Sequence, residues 1–140
     1  METLIETLHN SSCSLVLQDR QGNVRLFYKK GVRDLEDLLD KEPNTLKDAV
    51  IADKVIGKAA AGMMAYGGVK EVYAEVLSRK ALPLLKANNI KYSYGELVDN
   101  IVIPKGDTRC PLEKIVASAT TAAETVKLLR DHFEEMKKGA

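Results

Sequence analysis

Tryptophan is missing from this sequence, cysteine and histidine each occur only twice, and aromatic residues make up just 5% of the chain. Two cysteines, Cys13 and Cys110, are too few for a disulfide framework, and a reducing compartment keeps them as thiols. An excess of charge of either sign is also missing. With 21 basic residues against 20 acidic ones, no global field draws the chain onto DNA, RNA or an anionic membrane. No apolar run is long enough to cross a bilayer, and Met1-Glu2-Thr3-Leu4-Ile5-Glu6 carries acids where a targeting segment has a basic flank. The expected location is therefore cytoplasmic, with neither nucleic acid nor membrane as a partner. CxxC, HxxxH, HExxH, GxSxG, GxGxxG and the GxxxxGK phosphate loop are all absent. The common zinc, hydrolase, dinucleotide and P-loop sites lose their support, and no cofactor is expected.

What is present is the length and balance of one soluble domain spanning residues 1–140, at 45% hydrophobic and 29% charged. Leu4, Ile5 and Leu8 recur at helical spacing, which predicts a short leading helix over 2–9. Cys13–Gln18 and Val24–Tyr28 read as strands, and the intervening Gly22-Asn23 makes a hairpin the natural connection. Leu35, Leu38 and Leu39 share one face of a helix over 32–40 that stops before Pro43. Ala49–Ala52 is apolar and fits a strand or a helix equally. Asp53 has the chemistry of an N-cap, so the next helix is expected from Lys54 to Tyr66, with Gly67-Gly68 as a left-handed stop. Its many small side chains suit a central helix packed closely on several sides.

Val69–Leu77 is the best strand in the chain, rich in branched and aromatic residues. Ser78 can cap a helix over 79–89. Ile90–Tyr94 and Asn100–Ile103 read as two further strands, joined too tightly for a parallel crossover and so expected to be antiparallel. A single closing helix from Pro111 to about Lys137 carries an apolar stripe that includes Ile115, Val126 and Leu129. That stripe packs on the sheet or on a second copy, which makes a homodimer one expectation.

Three groups of residues carry candidate chemistry. Lys54 and Lys58, one turn apart at the start of the expected helix, form a site for a small anion, with Asp53 as cap, ligand or lysine partner. The competing reading has one lysine solvated and the other lying over apolar surface. Cys110 precedes Pro111 at the N-cap of the closing helix, with Glu113 in the capping-box position. The helix dipole and Arg109 would both favour its thiolate, which makes Cys110 a candidate nucleophile or simply a cap. Glu75, inside the strongest strand, is a candidate proton donor or base if burial raises its pKa, or else a partner for a lysine. His9 and His132 are expected at the surface.

The segments 52–61 (ADKVIGKAAA), 68–78 (GVKEVYAEVLS) and 109–113 (RCPLE) resemble a small prokaryotic family of unknown function with the cytidine-deaminase-like fold. The resemblance covers nearly the whole chain. It implies a three-layer α/β/α domain whose five-stranded mixed sheet has the order 2-1-3-4-5. Zinc deaminases of that fold place a His or Cys with a Glu at one helix start and PCxxC at the next. Here Ala52-Asp53-Lys54 and Ser78-Arg79-Lys80 stand in those places, so zinc-dependent deamination is not expected and no metal is assigned. The resemblance leaves a pocket lined by Asp53, Lys54, Lys58, Ser78, Cys110 and Glu113 for a small anionic ligand such as a nucleotide or nucleoside derivative. The alternatives are an enzyme using Cys110 as nucleophile and a non-catalytic assembly module.

Overall fold

The strands expected at 13–18 and 24–28 form the first hairpin, and the computed structural model of the protein, which describes residues 1–29, 32–101 and 109–139, extends a sheet from it. Strands β1 (Leu15–Gln18) and β2 (Val24–Phe27) pair antiparallel, with Leu17 opposite Arg25. Asp19 closes their turn by accepting the amides of Gln21 and Asn23, both at 2.9 Å. Gly22 supplies the positive φ, +90°, that the turn needs. Helix α1 (Glu2–Asn10) precedes the hairpin, and α2 (Arg33–Lys41) and α3 (Pro43–Leu46) follow it.

The undecided segment at 49–52 enters a strand. β3 (Val50–Ile56) contains Ala52, Asp53 and Lys54, so Asp53 does not cap a helix and Lys54 does not open one. The reason is tertiary. β3 lies between β1, where Asp53 is antiparallel to Leu15, and β4 (Glu71–Ser78), where Asp53 is parallel to Ala74. Two ladders satisfy its backbone on both edges, and that outweighs a local capping preference. Helix α4 (Lys58–Gly67) begins four residues later than expected, with Gly57 as its N-cap. It ends as its sequence dictates: Gly68 takes φ +85°, its amide reaches Ala65 O at 3.2 Å, and Val69 N reaches Met64 O at 3.0 Å.

After β4, Ser78 Oγ accepts the Lys80 amide at 3.2 Å and starts a 3-10 turn (Arg79–Ala81) that runs into α5 (Leu82–Ala87). β5 (Lys91–Val98) then runs parallel to β4 as one eight-residue strand. This corrects the expected antiparallel pair, because Gly95–Val98 continue the strand that was to turn there. Of the second expected strand, Val102 and Ile103 lie outside the described residues. The sheet order is β2-β1-β3-β4-β5, the expected 2-1-3-4-5, but its third to fifth strands are Val50–Ile56, Glu71–Ser78 and Lys91–Val98.

The closing helix is also two helices, α6 (Arg109–Ile115) and α7 (Ala122–Gly139). Thr121 Oγ1 accepts the Glu124 amide at 3.1 Å, and the hydroxyls of Thr120 and Thr121 donate to the Glu124 carboxylate at 3.0 and 3.2 Å. This Thr-x-x-Glu cap restarts the helix. The two faces of the sheet are covered unequally. Leu15, Leu17, Ile51, Val72 and Ala74 belong to the large core under α2 and α4 to α7, while Val16 and Ala52 point the other way onto Leu4, Leu8 and Cys13 with α1. The fold is therefore α/β, a mixed five-stranded sheet with helices on both sides. Cys13 is a free, fully buried thiol.

Helix α4 is the central element its small residues announced, with Ala59 to Met64 all buried. A Cβ on Gly62 would stand 2.3 Å from Thr125 Cγ2 of α7, so that glycine sets the approach of the two helices. Among the described residues, no helix is long and apolar enough to cross a membrane.

Candidate functional site at the carboxyl ends of the parallel strands

The parallel strands β3, β4 and β5 end side by side at Ile56, Ser78 and Val98. In open α/β sheets the crevice outside such carboxyl ends is where ligands settle. Here a cavity of about 220 Å³ opens there, lined by Ser78 and Lys80 after β4, Asn100 and Ile101 after β5, and Glu113 and Lys114 from α6. A second cavity of about 280 Å³ shares Lys80 and Ala117 with the first and adds Lys58, Ser118 and Thr120. Four elements thus converge on a region lined, among the described residues, by three lysines and one carboxylate.

That carboxylate organises the site. Glu113 Oε2 accepts the amide of Lys58 at 3.1 Å, and Oε1 accepts that of Ala59 at 3.3 Å. These are free donors of the first turn of α4, so Glu113 caps a helix 55 positions away in sequence, not its own. Gly57 makes room for it, since a Cβ there would lie 2.1 Å from Glu113 Oε1 and 2.8 Å from its Cδ. Burial pushes the Glu113 carboxyl above its ordinary value, opposed by the two amides and by the charges of Lys80 and Lys58. The Lys58 ammonium donates to Ala117 O at 3.0 Å, tying the first residue of α4 to the turn after α6. Beside Ser78, in the turn after β4, Arg79 Nε is held by Asp99 Oδ1 at 2.7 Å.

Of the residues singled out in the sequence, Lys58, Ser78 and Glu113 come together here, and Asp53, Lys54 and Glu75 do not line either cavity. Asp53 is buried in β3, where its Oδ1 accepts the Val55 amide at 3.3 Å. Strand alternation sends Lys54 to the α1 side with Ala52, so it is not the helical neighbour of Lys58. Glu75 also faces α1: its carboxylate meets His9 Nε2 at 2.8 Å, with the two side chains 33% and 50% exposed. That pairing makes it a surface contact away from the cleft. Cys110 is the second residue of α6, within the helix where an N-cap position was expected. Its side chain lies outside the described residues.

Lys80, Asn100, Lys114, Ser118 and Thr120 were missed. Lys80 carried the only usable signal, two residues past the Ser78 cap and so held at the strand end. The others depend on which way α6 and its following turn fold back. Among the described residues, no three His, Cys, Asp or Glu side chains cluster to hold a metal ion.

Comparison with known proteins places this geometry in a family. The model of the TM1506 family, a domain of unknown function (DUF1893), matches residues 3–133. A crystal structure of a DUF1893 family protein (TM1506) from Thermotoga maritima is similar over 94% of this chain and 88% of that one, at 23% identity and a TM-score of 0.80. At that identity the likeness speaks for the fold alone. No curated protein matches the chain.

Proposed function

The chain belongs to the TM1506 family, a domain of unknown function (DUF1893), and from that premise we propose that it is a deaminase-like domain without the zinc site, which holds a small anionic ligand in the cleft beside Lys58, Lys80 and Lys114. A nucleotide or nucleoside derivative is the ligand class proposed. The observation that carries this reading is the meeting of three lysines, Ser78 and Asn100 around adjoining cavities at the carboxyl ends of β3 to β5. Lysines at the mouth of a partly apolar cleft attract and hold an oxyanion, while a few hydroxyl and amide groups fix its orientation.

The sheet order and the helices on both sides support the deaminase-like comparison. The residues do not fit a zinc ion. With β3 as the third strand, the helix starts that would supply ligands are Arg33-Asp34-Leu35 in α2 and Lys58-Ala59-Ala60 in α4, and neither contains a histidine or a cysteine. The bound form described by this proposal is therefore metal-free. Asp53 and Lys54 take no part in it, because β3 holds them away from both cavities.

A thermal-shift screen of phosphate monoesters, carboxylates and neutral nucleosides tests the proposal. Anionic members are expected to raise the melting temperature of the wild type and to lose that effect in Lys80→Ala. A screen in which no anion stabilises the wild type, or in which Lys80→Ala responds as the wild type does, removes the proposal.

A further inference from the structure

The two cavities differ in chemistry. The one holding Lys58, Ser118 and Thr120 has two lysines and two hydroxyls in its wall beside Pro83, Leu84 and Ala119, and no carboxylate among the described residues that line it. The other has two lysines as well, Lys80 and Lys114, with the aliphatic Ile101 and Ala117, and is the one that contains Glu113, together with Ser78 and Asn100. Lys80 and Ala117 stand between them and line both. At about 220 and 280 Å³, each is smaller than the roughly 300–1,000 Å³ of small-molecule sites, whereas the two joined across Lys80 fall within that range.

We infer that the ligand is two-ended and straddles Lys80, with an oxyanion between Lys58 and Ser118, and an uncharged ring bearing N–H or O–H donors among Ile101, Asn100 and Glu113. This rests on the cleft reading above and adds the placement of each end. An oxyanion in the second cavity meets the ammonium groups of Lys80 and Lys58, the latter with two N–H donors left beyond its bond to Ala117 O, and the hydroxyl of Ser118, while the Thr120 hydroxyl is already given to Glu124. Placed in the first cavity it would meet Lys80 and Lys114 but also stand beside the Glu113 carboxylate, which offsets part of that attraction. A flat neutral ring gains the reverse. It covers the aliphatic wall, and its donors find lone pairs on Glu113 that the two α4 amides leave open, a carboxylate having about four acceptor positions. Asn100, able both to donate and to accept, orients the ring edge. Lys80 spans both ends, so its loss should affect every ligand with a charged end.

Titration calorimetry on the intact chain separates the two ends with three probes: a nucleoside, its 5′-monophosphate and inorganic phosphate. In Lys58→Ala the monophosphate and inorganic phosphate are expected to bind roughly tenfold more weakly while the nucleoside is unchanged. In Asn100→Ala the nucleoside and the monophosphate should weaken, and inorganic phosphate should not. Ser118→Ala gives a second, milder test of the anionic end, and circular dichroism confirms that each variant is folded. A 5′-carboxylate run beside the 5′-monophosphate tells which oxyanion is preferred. Equal weakening of nucleoside and monophosphate by Lys58→Ala, or loss of inorganic phosphate binding in Asn100→Ala, overturns the two-ended assignment while leaving the cleft. A wild type that binds none of the probes removes the cleft reading and this assignment together.

Discussion

Replacing Gly57 by alanine perturbs the contact on which the cleft is built. The backbone itself permits it, since Gly57 sits at φ −101° and ψ −173°, an extended conformation open to any residue. Steric overlap does not permit it, because the new Cβ would lie 2.1 Å from Glu113 Oε1. That oxygen ends a flexible side chain, so the carboxylate leaves and the backbone stays. Its departure breaks two charge-assisted bonds, at 3.1 and 3.3 Å to the Lys58 and Ala59 amides. Bonds of that kind contribute about 1.5–3 kcal/mol each. The released carboxylate regains hydration, which offsets part of the loss, and the stiffer unfolded chain returns about 0.4–1 kcal/mol. A net destabilisation of about 2 kcal/mol follows, at the upper end of what losing a helix cap costs.

The decisive version is a double-mutant cycle followed by urea unfolding. Without the Glu113 carboxylate, the severe overlap is gone and the next atom the new Cβ meets is Ile101 Cγ1 at 3.3 Å, a tight contact with a side chain that can give, so Gly57→Ala in a Glu113→Ala background should cost far less than in the wild type, down to neutrality or a gain of up to about 1 kcal/mol. Equal costs of Gly57→Ala in the two backgrounds would refute the account of Glu113 as the cap of α4.

Three further outcomes follow from the packing and the charges. Gly62→Ala puts a Cβ 2.3 Å from Thr125 Cγ2 and should destabilise by about 1–3 kcal/mol in spite of alanine's better helix propensity; a stabilised variant in thermal melts would contradict the close approach of α4 and α7. Thr121→Ala removes the hydroxyl that accepts the Glu124 amide and should cost about 1 kcal/mol in chemical unfolding, whereas an unchanged midpoint would mean that α7 is not capped there. Burial, reinforced by Asp40 and Asp37 and opposed by Lys137 and Arg33, holds the Glu36 carboxyl above its ordinary 4.5. Ionising it therefore costs folded-state stability as pH rises from 4.5 through the raised value, so Glu36→Gln should gain roughly a few tenths of a kcal/mol at neutral pH and nothing at pH values where both forms are neutral. A gain that grows toward acid would reverse the sign and refute the assignment.

Local patterns made much of the scaffold legible. The hairpin turn at Gly22-Asn23 between β1 and β2, the leucine stripe of α2, the Gly67-Gly68 stop and the small residues of α4 each follow from the chemistry of neighbouring positions, and each is found as read. Asp53 shows where such reading fails. Aspartate ahead of Lys-Val-Ile-Gly-Lys-Ala-Ala-Ala has every local mark of an N-cap, yet the flanking ladders to β1 and β4 extend it, and no neighbouring residue reports those ladders. Gly57, the true N-cap, passed as one more small helical residue. Glu113 failed in a related way: three residues past Cys110 it resembled half of a local capping box, and its partners turned out to be the amides of α4. The break between α6 and α7 was available in Thr121-x-x-Glu124 but was masked by an apolar stripe that continues across it. The site was readable to the extent that Ser78 sits at a strand end and Lys58 at a helix start. It was unreadable where it depends on long-range return of the chain, as with Asn100, Lys114 and Ser118.

The most direct test of the central claim is to follow the backbone amide resonances of the protein while a nucleoside monophosphate is added. The account predicts saturable shifts concentrated at Lys58, Ser78, Lys80, Asn100 and Ala117, around the carboxyl ends of β3 to β5. Shifts confined to the opposite side of the sheet near His9 and Glu75, or no saturable shift anywhere, would contradict it.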